Sequence, residues 1–170
     1  MSVQRKAKKA IVHAVATKQF LTFRIGNEQY GLELAQTREI IEYGGITSVP
    51  LMPNFLRGVI NLRGEVVPVI DLAVRLGRKP VEVQKRTCII VIELNNNEQN
   101  HVLGLLADAV SEVIEIDDDN IEDAPSFGAN IRADFIQGIA KRDDEFVVLL
   151  DANNTLSIRE LAHLVEADLQ

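Results

Sequence analysis

Two runs of branched apolar residues separated by a short polar turn form the most regular pattern in the chain. Residues 59–62 and 66–70 flank Arg63 and Gly64. Branched side chains favour a half-buried, pleated surface, and glycine supplies the positive φ that a tight turn needs. The pattern therefore predicts a β-hairpin.

The residues of the second run and those that follow it predict how the hairpin ends. Pro68 has no backbone N–H, so the second strand is predicted to lie at a sheet edge or to contain a bulge there. Asp71 is predicted to cap a short helical turn over residues 72–76, which Gly77 and Pro80 end. The whole segment is thus predicted to be a hairpin followed by one helical turn.

The same pattern returns 80 residues later, where residues 138–151 align with residues 58–71 without a gap. A second similarity lies upstream of each hairpin, where residues 30–42 resemble residues 103–115 at an offset of 73. Chance similarity between apolar strands is the alternative explanation, but glycines and acidic residues match as well as apolar ones. Two similarities in the same order favour the duplication of one small β unit, which predicts paired subdomains.

Most of the remaining chain also predicts short strands. They cover residues 19–25, 28–34, 40–43, 46–49, 87–94, 101–107 and 109–116, with a helical turn at 53–57. Many short strands with few helices are typical of a sandwich or barrel, and glycine-rich corners with a duplication favour two small closed barrels. We expect a flexible basic tail over 1–18 and one domain over 19–170. Its two intertwined barrels span about 20–80 and 87–155 and precede a C-terminal helix over 156–168.

Composition limits the core and the compartment. Aromatic residues make up 5% of the 170 residues and Trp is absent, so the core must be built from Val, Ile and Leu. Cys88 is the only cysteine and lies in an apolar run, which excludes an internal disulfide and favours a core position over a reactive thiol. With no signal-peptide pattern and no apolar run of about 20 residues, a cytoplasmic protein is expected.

Charge is distributed unevenly along the chain. Residues 1–18 contain five basic residues and no acidic one, so the rest carries 13 Lys and Arg against 25 Asp and Glu, a net charge of −12. Such an acidic body repels phosphate and argues against a nucleic-acid-binding protein. The basic tail could contact nucleic acid or anionic lipid, but a solvated arm is the favoured interpretation.

Neither a catalytic constellation nor a cofactor motif is present in the sequence. The three histidines, His13, His101 and His163, lack the spacing of metal ligands, and no phosphate-binding glycine loop occurs. The acidic stretch 117–122 lacks the alternating oxygens and central glycine of a calcium loop. We therefore expect no enzyme, no cofactor and no metal.

Arg63 is the one charged residue that the hairpin pattern makes prominent. Its position between apolar strands predicts that a carboxylate such as Glu39 or Glu65 pairs with its guanidinium. A partly buried structural ion pair and a contact with a partner protein both remain open at this point.

Several of these segments together resemble the CheW family, the coupling proteins of bacterial chemotaxis. The resemblance rests on Phe-Leu-Thr-Phe-Arg-Ile-Gly at 20–26, Tyr-Gly-Leu at 30–32, Arg-Glu-Ile-Ile at 38–41, Gly-Val-Ile-Asn-Leu-Arg-Gly at 58–64 and Val-Pro-Val-Ile-Asp-Leu at 67–72. It covers residues 19–165 and implies a mainly all-β fold of two five-stranded SH3-like barrels. It also implies a non-catalytic, cytoplasmic adaptor that joins the regulatory domain of the histidine kinase CheA to the cytoplasmic tips of chemoreceptors in membrane-associated arrays. Other CheW-like subunits in rings are further implied partners.

The resemblance also assigns site residues by position. The implied receptor-binding groove lies between the barrels and uses Leu34 and Thr37, with Glu39 and Arg63 as the pair that supports it. The implied kinase contacts at the barrel ends are Ile41, Phe55, Arg57 and Phe127. The family usually has an apolar residue at the position of Thr37, so a weaker or altered receptor preference is expected.

Two alternatives remain beside this hypothesis. One is a CheW-like adaptor of a non-flagellar chemosensory pathway, such as twitching motility. The other, from a different class, is a barrel that binds a small ligand or nucleic acid, against which the acidic body argues.

Overall fold

The computed structural model describes residues 17–96, 98–123 and 133–156, and most of them lie in strands. The strands are β1 (Thr17–Ile25), β2 (Glu28–Glu33), β3 (Thr37–Glu42), β4 (Leu56–Leu62), β5 (Glu65–Asp71), β6 (Cys88–Asn96), β7 (Gln99–Ala107), β8 (Ala109–Asp117), β9 (Ile121–Glu122), β10 (Ile136–Arg142) and β11 (Glu145–Leu150). Two four-residue helices, α1 (Leu72–Arg75) and α2 (Ala152–Thr155), follow β5 and β11. Short 3-10 turns cover Leu34–Gln36, Asp118–Asn120 and Ala133–Phe135.

The strands form two sheets, one for each barrel. The five-stranded sheet has the order β3-β6-β7-β5-β4, and the six-stranded sheet has the order β8-β1-β2-β11-β10-β9. Neighbouring strands are antiparallel except for β5 beside β7 and β11 beside β2, which are parallel. The predicted all-β fold of two barrels is confirmed. The additional sixth strand, β9, has only two residues, and its counterpart in the other sheet is the isolated bridge between Thr47 and Val59.

The predicted central hairpin is present as β4 and β5. Arg63 and Gly64 both have positive φ, of 51° and 85°, as a tight two-residue turn requires. The side-chain oxygen of Asn61 accepts a hydrogen bond from the Gly64 N–H at 2.8 Å and holds this turn. Asp71 caps α1 as predicted, accepting from the Val74 N–H at 3.4 Å.

The prediction for Pro68 needs a correction. β5 is not an edge strand, because it lies between β4 and β7. Its pairing with β7 begins only at Val69, so no β7 carbonyl has to be satisfied by the N–H that proline lacks. The bulge of this hairpin lies in β4 instead, between Leu56 and Gly58.

The second hairpin, β10 and β11, repeats the first with the offset of 80 residues seen in the sequence. Its bulge falls between Ile136 and Gly138, the counterparts of the bulge residues of β4. Asp151 caps α2 by accepting from the Asn154 N–H at 3.0 Å, as Asp71 caps α1. Such agreement of bulge and cap is what a duplication predicts and what chance similarity of apolar strands does not.

The two copies of the unit exchange strands. In the parallel pairs, Val69 lies beside Gly104 in one sheet and Leu149 beside Gly31 in the other, and these pairs are equivalent under the two sequence offsets. The hairpin β1–β2 therefore joins β8–β11, and the hairpin β6–β7 joins β3–β5. Sheet pairing thus divides the strands differently from the ranges 20–80 and 87–155, because each barrel takes strands from both copies.

Glycine is needed where the exchanged strands meet. A Cβ atom on Gly104 would lie 2.8 Å from a methyl carbon of Ile89 and 3.4 Å from one of Val69. A side chain at this position would therefore clash with Ile89 of the antiparallel neighbour β6 and press against Val69 of the parallel neighbour β5. The match between Gly31 and Gly104, visible in the sequence, thus has a packing cause.

The core joins the barrels because β1 is buried on both faces. Phe20 belongs to the smaller cluster inside the six-stranded barrel, whereas Leu21 and Phe23 belong to the large cluster that also fills the five-stranded barrel. Cys88 is buried in the large cluster, as predicted, and burial raises the pKa of its thiol. Alternate residues of one strand thus serve two cores, which fixes the barrels relative to each other.

The remaining predictions about local structure have different outcomes. Residues 46–49 form only the bridge at Thr47, and residues 53–57 contain a turn at Asn54 and Phe55 in place of a helical turn. The tail over 1–18 and the helix over 156–168 lie outside the described residues except at Thr17, Lys18 and Leu156. Within the described ranges no helix has the length and apolar character needed to cross a bilayer.

Candidate functional site

Arg63 and Glu39 form the ion pair that the sequence predicted. Arg63 stands at the tip of the β4–β5 hairpin and Glu39 on β3, at the opposite edge of the same sheet, and two hydrogen bonds join them. Nη2 of Arg63 donates to Oε1 of Glu39 at 2.5 Å, and Nη1 donates to Oε2 at 3.4 Å. The alternative partner Glu65 pairs instead with Arg38, at 3.9 Å. The planar guanidinium thus presents a fixed edge to one carboxylate.

The pair is more exposed than expected. The Arg63 side chain is 68% exposed and the Glu39 side chain 28% exposed, so the pair is partly buried only at Glu39 and the guanidinium is accessible to a partner protein. Hydrogen bonding from Arg63 lowers the pKa of Glu39 below its ordinary value, so the carboxylate is ionised at neutral pH. The pair weakens only as the pH falls through that lowered pKa, and at neutral pH Arg63 still offers a charged, accessible surface.

Leu34 and Thr37 flank the point where the chain passes from one barrel to the other. The 3-10 turn Leu34–Gln36 connects β2 of the six-stranded sheet to β3 of the five-stranded sheet. Leu34 is half-buried against the large core and lines a cleft of about 420 Å³ together with Lys18, Gln19, Glu33 and Ala35. This arrangement places an apolar floor at the junction of the barrels, where a groove was expected.

Thr37 begins β3 at the end of the same turn. Its hydroxyl donates to the Glu33 carbonyl oxygen at 3.4 Å and its side chain is half-buried. It lies two residues before Glu39, so β3 connects the cleft to the ion pair. Because the hydroxyl is engaged with the turn, the methyl group is the part of the Thr37 side chain that remains for an apolar contact.

Val66 is an exposed apolar residue that the sequence analysis did not single out. It follows the turn of the β4–β5 hairpin and is 70% exposed. Its counterpart in the second hairpin, Phe146, is exposed as well. The apolar run around Val66 and Val67 predicts a strand. Because both residues are apolar, the sequence does not tell which face of that strand is exposed to solvent.

Ile41 is not the exposed residue of its strand. It is half-buried against the large core, whereas the neighbouring Ile40 points outward and is exposed. The expected kinase contact at Ile41 therefore offers part of its side chain only, with Ile40 as the larger apolar area next to it.

Phe55 has an internal role, which corrects the expectation that it presents a surface contact. It is 8% exposed, and the Arg75 guanidinium lies 5.2 Å from its ring centroid. The same guanidinium lies 4.9 Å from the ring of Phe135, the counterpart of Phe55 in the second copy. Nε of Arg75 also donates to the carbonyl oxygen of Thr155 at 2.8 Å. Arg75 and the two rings therefore tie the copies together.

Arg57 is likewise engaged inside the molecule. Its Nη1 donates to Oδ2 of Asp71 at 2.9 Å, and its Nη2 donates to the Val81 carbonyl oxygen at 3.1 Å. Asp71 also accepts from the Val81 N–H at 3.1 Å. The sequence could not distinguish this anchor of the inter-repeat linker from a partner contact, because both use an arginine close to an aspartate.

The last predicted kinase contact, Phe127, lies outside the described residues. Within the ranges that are described, no group of three or more His, Cys, Asp and Glu side chains is placed to hold a metal ion. The chemistry that the described site offers is noncovalent binding: an apolar cleft, an exposed arginine held by a carboxylate, and an exposed valine on the same hairpin as that arginine.

Comparison with known proteins identifies the family of the chain. Residues 19–160 match the family model described as a CheW-like domain. The chain is 33% identical over 145 residues to the chemotaxis protein CheW of Klebsiella aerogenes, covering 85% of each chain. It is 35% identical over 143 residues to the probable chemotaxis protein CheW of Rhizobium etli, covering 84% of this chain and 90% of that one.

A solved structure agrees with the sequence matches. The crystal structure of the scaffolding protein TtCheW from Thermoanaerobacter tengcongensis is similar with a TM-score of 0.71 and 37% identity, covering 79% of this chain and 84% of that one. The family model spans all eleven described strands apart from the first residues of β1. The two strand-exchanged barrels, the motif around Arg63 and these matches together show that the chain belongs to the CheW-like domain family.

Proposed function

We propose that this protein is a non-catalytic adaptor that couples the histidine kinase CheA to chemoreceptors in membrane-associated arrays on the cytoplasmic side. The observation that carries the proposal is the match over nearly the whole described chain to proteins named chemotaxis and scaffolding proteins. The site fits an adaptor, since it offers exposed binding surfaces on a rigid pair of barrels.

The proposed receptor surface consists of Leu34, Thr37, Glu39 and Arg63, with Val66 added from the structure. An amphipathic receptor helix would place apolar side chains in the cleft beside Leu34 and against Val66. Arg63, held by Glu39 and largely exposed, would contact polar groups of the helix. This surface combines a half-buried apolar floor with a positioned charge, which is the usual composition of a helix-binding groove.

The proposed kinase surface lies at the barrel ends and is separate from the receptor surface. On the five-stranded barrel it uses the exposed part of Ile41 and the neighbouring Ile40, and in the second copy it uses Phe127. Phe55 and Arg57 support it from inside, through Arg75 and Asp71. Separate surfaces are required because an adaptor has to hold both partners at once.

Arg63→Ala is expected to lower the affinity for a receptor-tip fragment about fivefold to tenfold with little change in stability. The substitution removes an exposed guanidinium and leaves Glu39 without its partner, while exposed ion pairs contribute little to folding. Titration of the receptor fragment measures the affinity, and urea denaturation measures the stability. Binding of the kinase fragment is expected to stay unchanged.

Arg142→Ala is the matched control for this substitution. Arg142 pairs with Glu112 at 3.4 Å on the surface of the six-stranded barrel, and Glu112 is the counterpart of Glu39 at the offset of 73. The control removes a similar exposed pair that lies outside the proposed receptor surface. Equal receptor affinity of the two variants would contradict the role of Arg63, and a large fall in stability of Arg63→Ala alone would assign it a structural role.

A further inference from the structure

A second cavity, of about 560 Å³, is lined by none of the residues of the proposed receptor surface. Three segments meet there: the turn of the β1–β2 hairpin around Gly26, the inter-repeat linker from Arg78 to Thr87, and the turn between β7 and β8 at Asp108. Its volume is in the range of small-ligand sites in proteins. The linker leads from α1 to β6 and contacts the first hairpin through the pair of Arg78 with Glu28.

Four cationic side chains line the cavity in a protein whose net charge is −7. They are Arg24, Arg78, Lys79 and Arg86. Within the described chain neither Arg24, Lys79 nor Arg86 takes part in an ion pair. Like charges brought together without carboxylate partners repel one another, so the cavity gains free energy from an added anion.

Two of the three acidic residues at the cavity are already engaged. Asp108 accepts a hydrogen bond from the Gly26 N–H at 2.5 Å and closes the hairpin turn. Glu28 pairs with Nη2 of Arg78 at 2.8 Å and accepts from the Tyr30 hydroxyl at 2.7 Å. The third, Glu82, is exposed on the linker. Since Glu28 is paired with Arg78, the three cations without ion pairs share the cavity with two carboxylates, Asp108 and Glu82, which leaves one positive charge in excess.

Arg78 carries a further unsatisfied group. Its Nε is buried and has no hydrogen-bond partner, although the far end of the same guanidinium pairs with Glu28. A buried donor without a partner is uncommon in folded proteins. Because this Nε has no accessible surface, a ligand in the cavity would meet the accessible part of the Arg78 guanidinium, which the pair with Glu28 holds in place.

We propose that this cavity binds a small oxyanion of the phosphate type that carries at least two negative charges. Arg24, Lys79 and Arg86 supply charge and hydrogen-bond donors, and Arg78, held by Glu28, lies beside them between the linker and the first hairpin. Because the lining is charged, an apolar ligand would leave these groups without partners, which argues against a lipid or steroid. This site is independent of the proposed adaptor surfaces.

The test is titration of the full chain with inorganic pyrophosphate, followed by calorimetry and by protein NMR at constant ionic strength. Saturable binding at one site is expected, with shifts of the Gly26 and Arg78–Thr87 amides. The double variant Lys79→Gln, Arg86→Gln is expected to lose at least tenfold in affinity. Both side chains lie on the exposed linker, so folding should be retained.

The control variant Lys141→Gln, Arg142→Gln removes two cations from the second hairpin and is expected to bind pyrophosphate like the parent chain. The proposal is overturned if chloride at equal ionic strength gives the same amide shifts, if the two double variants bind equally, or if no saturable binding occurs. Failure of this test leaves receptor and kinase binding untouched, since neither measurement uses the cavity.

Discussion

Leu34→Glu is expected to abolish detectable binding of a receptor-tip fragment while leaving binding of the kinase fragment intact. Leu34 forms the apolar floor of the cleft at the barrel junction. A glutamate there would place an unpaired carboxylate in a contact from which water is excluded, at a cost of several kcal/mol. Micromolar binding corresponds to about 8 kcal/mol, so a loss of this size removes it from a usual titration range.

Leu51→Glu is the control, because it makes the same chemical change on the surface of the same barrel. Leu51 is 74% exposed and is not among the residues that line the cleft. The Leu51→Glu variant is expected to bind both fragments with the affinity of the parent chain. Both variants are first compared by denaturation, since Leu34 also packs partly against the large core. If a folded Leu34→Glu variant binds the receptor fragment as well as Leu51→Glu does, the proposed receptor surface is wrong.

Asp71→Ala is expected to lower the free energy of unfolding by about 3 kcal/mol. The carboxylate is buried and accepts from Arg57, from the Val81 N–H and from the Val74 N–H, so one side chain holds β4, the linker and α1. Removing one member of a buried ion pair costs about 3–5 kcal/mol. Because the Arg57 side chain is 29% exposed and water can reach it, we expect a loss of stability at the lower end of this range.

Asp151→Ala provides the comparison within the same molecule. Asp151 occupies the equivalent position in the second copy, but among the described residues its carboxylate accepts from Asn154 alone, and residue 137, the counterpart of Arg57, is Gln. Loss of a helix cap costs about 1 kcal/mol. Urea denaturation of both variants gives the two values. Equal destabilisation would mean that Asp71 acts as a cap alone and that Arg57 is free for the kinase contact first assigned to it.

The features predicted best from the sequence depend on neighbours within a few residues. The β4–β5 hairpin, its turn at Arg63 and Gly64 and the cap by Asp71 follow from local preferences, and the structure contains all of them. The duplication was also legible, because glycines at bulges and close contacts recur with fixed offsets. Local geometry leaves a direct signal in residue type and spacing.

The strand exchange left no such signal. The offset of 73 residues shows that β1–β2 and β6–β7 are alike, but it does not tell which copy each hairpin joins. Parallel pairing of Val69 with Gly104 and of Leu149 with Gly31 is a long-range choice made by the folded core. We therefore expected one barrel on each side of the linker. In the structure, each sheet instead contains strands from both sides of the linker.

Burial of the site residues was predicted least well. Phe55 and Arg57 are engaged inside the molecule, whereas Arg63 is largely exposed, and their side-chain types alone do not distinguish these cases. An arginine near a carboxylate can either anchor a linker within the molecule or contact a partner protein. Only the neighbours brought in from distant strands and from the linker decide between these roles.

The central claim is that one molecule holds the receptor and the kinase on separate surfaces. It is tested most directly by titrating the kinase fragment into the protein alone and into the protein saturated with receptor fragment. We expect kinase affinity to agree within about twofold in the two titrations and a complex with one copy of each component to form. Displacement of the receptor fragment by the kinase fragment, with no complex of all three, would contradict the proposed function.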